Sequence, residues 1–416
     1  MNRKSGGLWL FCAAYFITYL VRNSYSSVLV EIIRDLNVTK QTASIALTGS
    51  FFTYGLGQFI SGRLGDRFQP HRIILTGLVS TAVINVSIAL IPNIHFMNII
   101  WISSGFFHSM IWSPLVRMVN HAYPENKQFS HVIGRVNQGS YIGTVVIYFL
   151  AALYVAKLHW RLLFLTTGAI SLIFSGIWFY STRGLTFTAT LVPVRKDPAE
   201  GDCPEENNPV IERLTLGTLL RIGFLPILIS TLGIGFLRDG IATWMPVYFT
   251  EVFHMDASLS ILTSIVLPLC AVAMVEVIAK VKDRLKNDIK CAMLTFLLAT
   301  GFALILVVFQ AHWMLLDLAM MAGLTFCLRG SSFMLTSYVP HYFHRYGKVS
   351  TVSGLINGFI YIGSAIATYT LALLTDNFGW RINISIWMVI AALCTGLCFV
   401  ATGPWGRFVA ETTRKK

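Results

Sequence analysis

Apolar runs of about 20 residues recur along the chain, separated by short polar breaks. They fall at roughly 9–31, 44–64, 72–92, 97–119, 132–155, 161–181, 218–249, 258–279, 289–310, 313–339, 349–374 and 380–403. A helix rising 1.5 Å per residue needs about that length to cross a hydrocarbon core of about 30 Å. The pattern therefore predicts an all-α membrane protein with 12 transmembrane helices. Composition points the same way, because 55% hydrophobic and 12% charged residues among 416 leave too few charges to cover a water-exposed surface.

The formal charge of +13 would suit a nucleic-acid partner, until the positions of the basic residues are considered. With both termini cytoplasmic, the inner loops and tails collect Arg3, Lys4, Arg63, Arg67, Arg72, the 183–221 segment, Lys280 to Lys290, Arg345, Lys348 and the tail from Arg407. The outer loops keep Arg34, Lys40, Lys157, Arg161 and Arg381. This is the positive-inside pattern, so the basic charge reports topology and no nucleic acid is expected. Arg3 and Lys4 precede an apolar run with no small-residue cleavage site, which reads as a retained first helix. Short loops and the lack of a long outer domain point to a monomer in a bacterial inner membrane. The seven Cys residues include no CxxC pair, and Cys394 and Cys398, four apart on one helix face, read as core packing. No metal or cofactor is expected.

One long polar stretch, 182–216, holds Arg195-Lys-Asp-Pro198 and Glu205-Glu-Asn-Asn-Pro209 and lacks apolar periodicity. It divides the chain into a six-helix bundle over 1–181, a cytoplasmic linker over 182–216 and a second six-helix bundle over 217–416. The halves share landmarks at nearly one offset. Arg22 and Arg238 lie 216 positions apart, and Asp66-Arg67 and Asp283-Arg284 lie 217 apart. Asn137-Gln-Gly-Ser-Tyr141-Ile-Gly143 recurs as Asn357-Gly-Phe-Ile-Tyr361-Ile-Gly363, and Trp160-Arg161 as Trp380-Arg381, both at 220. Four matches in order predict a duplicated, pseudo-symmetric architecture of the kind that rocks about a midplane site.

Two of these landmarks carry chemistry. Gly62-Arg-Leu-Gly-Asp66-Arg67 follows the second span and resembles the G-x-L-x-D-R signature of the major facilitator superfamily, with Asp283 and Arg284 as its degenerate partner. Gly62 allows close helix approach, while Asp66, Arg67, Asp283 and Arg284 can form charge pairs that hold in one gate state and break in the other. Arg22 and Arg238 sit deep in the first and seventh spans, where an Arg costs about 2.5–3.5 kcal/mol even on the lenient insertion scale. Two facing guanidinium forks would clamp a phosphate or carboxylate. Asp239 adjoins Arg238, but neighbouring helical residues diverge by about 100°, which should leave Arg238 at least partly free.

Tyr19-Leu-Val-Arg22, Leu237-Arg238-Asp-Gly-Ile-Ala-Thr-Trp244-Met-Pro246-Val-Tyr248 and Trp112-Ser-Pro114-Leu-Val-Arg117 resemble segments of the organophosphate:phosphate antiporters, the major facilitator branch that carries glycerol-phosphate and hexose-phosphates. The resemblance implies exchange of an organic phosphate for inorganic phosphate, with Arg22 and Arg238 as ligands. It also marks departures, because Asn23, Gln58 and Ser140 stand where that branch has Lys, Lys and His. Fewer cations imply a less charged substrate or one with a different body. Tyr15, Tyr19, Gln58, Asn137, Gln138, Tyr141, Asn357 and Tyr361 complete the expected polar lining.

His108 and Asp239 are candidate proton carriers, and with them a proton-coupled organic-anion symporter is the alternative mechanism. A transporter-like sugar-phosphate receptor is another. Glu276, four residues before Lys280, reads as an ordinary helical ion pair. Arg117 and Arg329, in the fourth and tenth spans, are candidate additional cations of the site or the gate. The sequence contains no GxxxxGK[ST] loop, HExxH or G-x-S-x-G on a strand–turn–helix, so it predicts no enzyme and no ATP-driven step.

Overall fold

The computed structural model describes residues 3–123, 126–184, 215–285, 287–346 and 349–414. The helices are α1 (Arg3–Arg22), α2 (Ser24–Ser27), α3 (Leu29–Asp35), α4 (Lys40–Arg67), α5 (Pro70–Leu90), α6 (Ile94–Ala122), α7 (Asn126–Lys157) and α8 (Trp160–Thr182), followed by α9 (Leu216–Arg221), α10 (Phe224–Phe253), α11 (Ala257–Thr263), α12 (Val266–Leu285), α13 (Asp288–Phe309), α14 (Met314–Phe333), α15 (Val349–Phe378) and α16 (Trp380–Arg414). Ten helical stretches among the described residues are long and apolar enough to cross a membrane. With α1–α3 and α4, they are consistent with the twelve predicted crossings. Leu90, Ile99, Ile173, Val308 and Phe399 are exposed large apolar side chains, as a lipid-facing surface requires. Most of the 182–216 linker lies outside the described residues.

Four predicted continuous helices are broken: the seventh run, 218–249, divides between α9 and α10 at the left-handed Gly223, and three others break for reasons of side chain or proline. The first span ends as α1 at Arg22 and resumes as α2 and α3. Between them Ser24, Ser26 and Ser27 donate their hydroxyls to the carbonyls of Val21, Asn23 and Ser24 at 2.7, 3.2 and 2.9 Å. Such local side-chain bonds compete with the helical ladder. The break is anchored from outside, because Ser24 Oγ also lies 2.7 Å from Asn85 Oδ1 and Tyr25 Oη donates to the carbonyl of Ala43 at 3.1 Å. The eighth span breaks between α11 and α12, where Pro268 can neither donate to Ser264 nor avoid its carbonyl. The tenth continues beyond α14 as a π turn, Met334–Tyr338, and a 3₁₀ segment, Val339–Tyr346, around Pro340.

The repeat read from the sequence reappears as paired contacts. A Cβ added at Gly143 of α7 would lie 2.6 Å from the carbonyl oxygen of Phe16 in α1, and one at Gly363 of α15 would collide with the carbonyl of Leu232 in α10. Only glycine permits these two crossings. The Trp-Arg landmark also recurs in use. Trp160 Nε1 donates to Asp35 Oδ2 at 2.9 Å, and Trp380 Nε1 donates to Glu251 Oε2 at 2.8 Å. Asp35 ends α3, the last piece of the first span, and Glu251 stands in the last turn of α10, 216 positions apart like Arg22 and Arg238. Cys394 and Cys398 pack against Ser230 of α10, as the core-packing reading expects.

Candidate functional site

A cavity of about 190 Å³ lies at the centre, walled by α1, α2, α4, α6 and α7 on one side and by α10, α12, α14 and α15 on the other. Its volume is below the roughly 300–1,000 Å³ of sites for drug-sized ligands, which suits a small solute. Helix breaks border it. Asn23 and Ser26 come from the interruption after Arg22, while Leu267 and Pro268 come from the start of α12. Pro246 of α10 removes the helical donor for the carbonyl of Ala242, another wall residue. Irregular backbone at membrane depth is tolerated where it lines such a cavity.

Arg22, at the end of α1, enters a cage of aromatic rings. Its Cζ lies 4.1 Å from the ring centroid of Tyr54, 5.4 Å from that of Tyr361 and 5.7 Å from that of Tyr19. Each face contact stabilises a desolvated cation by about 0.5–2 kcal/mol. Tyr54 of α4 and Tyr361 of α15 have centroids 4.4 Å apart, so rings from both halves meet over this guanidinium. None of the ion pairs among the described residues involves Arg22.

Arg238 is differently placed. Its Nε and Nη2 donate to Asp239 Oδ1 and Oδ2 at 2.7 and 2.8 Å, and Nη1 lies 3.5 Å from Ser332 Oγ of α14. The expectation that helical divergence leaves Arg238 partly free is therefore overturned. The long stem folds back, and the planar fork closes on its neighbour's carboxylate in bidentate geometry. Asp239 Oδ2 also accepts from Ser364 Oγ of α15 at 2.6 Å.

Arg22, Arg238, Tyr19, Asn137, Tyr141, Tyr361, His108 and Asp239 all line the cavity. Tyr15, Gln58 and Asn357 are not wall residues. Tyr15 packs behind Tyr19 and against Trp112, with centroids 5.1 and 4.7 Å away. Gln58 and Asn357 each stand one helical turn from a wall residue, Tyr54 and Tyr361, about 6 Å along the axis. Gln138 is exposed. His108 is buried, and its Nδ1 lies 2.8 Å from the carbonyl of Ser104. That carbonyl can only accept, so Nδ1 donates and Nε2, without a partner among the described residues, offers an acceptor. Sequence reasoning missed Tyr54. An aromatic residue in the Phe51-Phe-Thr-Tyr54 run signals packing, and its position over Arg22 emerges only when α4 meets α15.

The expected gate is described in part. Gly62, Asp66 and Arg67 belong to the last turns of α4, but their side chains lie outside the described residues, as do those of Asp283 and Glu276. Arg284 is exposed. Lys282 makes the contacts here, with Nζ 3.4 Å from Asp288 Oδ1 and 3.1 Å from the ring centroid of Tyr338. At the end of the molecule remote from the termini, Lys40 Nζ lies 2.8 Å from Glu251 Oε1 and 3.0 Å from Asp376 Oδ1. It thereby ties α4 to α10 and α15. Ser258 Oγ of α11 donates to the carbonyl of Ala152 of α7 at 2.9 Å.

Two paired helical bundles around a buried cationic cavity, with apolar surface facing outward, define a membrane solute carrier rather than an enzyme. The sequence model of the Major Facilitator Superfamily matches residues 11–368, and the chain belongs to that family. A probable hexose phosphate transport protein of Chlamydia pneumoniae is 23% identical over 97% of this chain and 91% of its own length. The glycerol-3-phosphate transporter of Bacillus subtilis (strain 168) is 22% identical over 95% of this chain and 90% of its own. A crystal structure of a bacterial homologue of the human lysosomal transporter Spinster, inward-facing and unoccupied, superposes with a TM-score of 0.78 at 12% identity, over 98% of each chain.

Proposed function

We propose that this transporter carries a small phosphorylated anion by alternating access and exchanges it for inorganic phosphate. The observation that carries the reading is Arg22. It is a cation at the centre of a membrane protein, held by aromatic rings from both halves and in no ion pair among the described residues, while the wall's carboxylate, Asp239, is engaged by Arg238. Such a charge is costly when empty and is compensated when an anion binds. The near-full-length likeness to hexose-phosphate and glycerol-phosphate transporters supports phosphate as that anion.

In this mechanism the anion enters beside Arg22 and draws Arg238 partly away from Asp239. Tyr19, Asn137, Tyr141 and Tyr361 orient the body of the solute by hydrogen bonds. Closure over an empty site would leave the Arg22 charge uncompensated, so return without an anion is slow and exchange is favoured over net flux. The two bundles over 1–181 and 217–416 are the rocking bodies, joined by the 182–216 linker. Gly62, Asp66, Arg67, Asp283 and Arg284 form the gate on the side of the termini. Both termini face the cytoplasm in a bacterial inner membrane.

The test is counterflow in proteoliposomes loaded with inorganic phosphate. Labelled phosphate should exchange without a proton gradient, and Arg22→Lys and Arg238→Lys, which keep charge but lose the planar fork, should each reduce it about tenfold or more. Undiminished exchange in both variants would refute the clamp. Uptake that needs a proton gradient and no internal anion would favour symport through His108 or Asp239, and binding without flux would favour a receptor.

A further inference from the structure

The comparison of motifs predicts a site poorer in cations than that of the sugar-phosphate carriers, because Asn23, Gln58 and Ser140 replace basic residues. The cavity wall adds one cation to this account. Arg329, in α14 of the second half, faces the same space as Arg22 and Arg238. Its Nε is buried without a partner among the described residues, and no ion pair there includes it. Ser332, three residues on, touches Arg238. Arg329 is thus about 4.5 Å along the helix from the point where α14 meets that pair.

Charge on the wall decides what Arg329 is for. Among the described residues, the charged side chains lining the cavity are Arg22, Arg238, Arg329 and Asp239. Three guanidinium groups against one carboxylate leave two positive charges in excess. A carboxylate or phosphodiester would neutralise one of them. A phosphate monoester, with a second pKa of about 6, carries about −1.5 to −2 at pH 7 and can neutralise both.

We propose that Arg329 is a third anion ligand, and that with Arg22 it sets the site to select the dianion of a phosphate monoester over singly charged anions. Arg238 and Asp239 together contribute no net charge, so the selective excess resides in Arg22 and Arg329. The three phosphoryl oxygens can receive donors from both of these Arg residues while leaving the ester oxygen toward Tyr141 and Asn137. This inference rests on the phosphate reading above and assigns charge selectivity within that site.

The experiment measures binding of monomethyl phosphate and dimethyl phosphate to the purified full chain at pH 7.5, by displacement of labelled inorganic phosphate. The first ligand is mostly a dianion there, and the second is a monoanion at any accessible pH. The unmutated protein should prefer the monoester by about tenfold or more. Arg329→Gln should weaken monoester binding by about tenfold and erase most of that preference. Arg329→Lys, which keeps the charge, should retain the preference and lose several-fold in affinity. If Arg329→Gln fails to fold, the Lys variant decides, because unchanged affinity in it would overturn the assignment. Monoester preference unaltered in Arg329→Gln would overturn this inference alone, whereas absence of phosphate binding by the unmutated protein would overturn the phosphate reading with it.

Discussion

Arg22 and Arg238 occupy corresponding positions in the two halves, yet among the described residues only Arg238 is neutralised by an ion pair. Asp239 holds Arg238 through two hydrogen bonds and is itself held by Ser364. Arg22 meets the faces of Tyr54, Tyr361 and Tyr19 and no carboxylate among the described residues. In the proposed mechanism a bound anion competes with Asp239 for Arg238, and Asp239 helps expel the anion afterwards. Asp239→Asn removes that competitor, so phosphate should bind about tenfold more tightly, the equivalent of about 1.4 kcal/mol, while exchange slows because release is impaired. Equilibrium binding set beside exchange rate checks this, and weaker binding in the variant would mean that the pair only holds α10 to α15. The site was legible where an isolated charge in an apolar span has no structural excuse, as with Arg22. Tyr54 was not, because its role depends on a ring from the other half, and the engagement of Arg238 was misread because geometry on an ideal helix ignores the reach of a long side chain.

Among the elements, the spans were legible because lipid imposes both length and composition on each crossing. Their interruptions were less so. Pro268 and Pro340 are visible signals, but the run of Ser residues after Arg22 resembles ordinary polar helix until their hydroxyls are seen bonding backwards. The repeat was legible as spacing, and its cause was not. Gly143 and Gly363 recur because α7 crosses α1, and α15 crosses α10, with backbone against backbone. Gly143→Ala and Gly363→Ala should each destabilise the protein by about 1–3 kcal/mol through overpacking, read as a lower unfolding temperature in detergent. Gly176→Ala, at a position with nothing near its absent Cβ, should leave that temperature unchanged or raise it. Equal behaviour of all three would show that the crossings have room to spare.

For the whole molecule, the question is what keeps the two halves together at the end remote from the termini. Lys40 is at the start of α4 in the first half, while Glu251 and Asp376 end α10 and α15 in the second, so one side chain clasps both helices that flank the cavity. Its side chain is only 12% exposed, which screens the pair less than a fully solvated surface bridge. Glu251 is further oriented by Trp380, and the corresponding Asp35 of the first half is bound by Trp160, so each half presents a carboxylate steadied by indole. Only the second half's carboxylate receives the lysine. In the proposed mechanism this clasp opens as the opposite end closes, and its strength contributes to the resting balance between the two states. Lys40→Gln removes both ion pairs, a loss of about 1–2 kcal/mol, enough to shift that balance about 5- to 30-fold. Spin labels at Leu158→Cys in the first half and Phe378→Cys in the second, both exposed at this end, should report a longer-distance population in the Lys40→Gln variant, introduced together on a background with the native cysteines replaced. Added phosphate should then redistribute the populations only as far as it binds the two states with different affinity. Distances that match those of the unmutated protein would mean that the clasp is incidental, and that apolar packing between α4 and α15 alone holds this end shut.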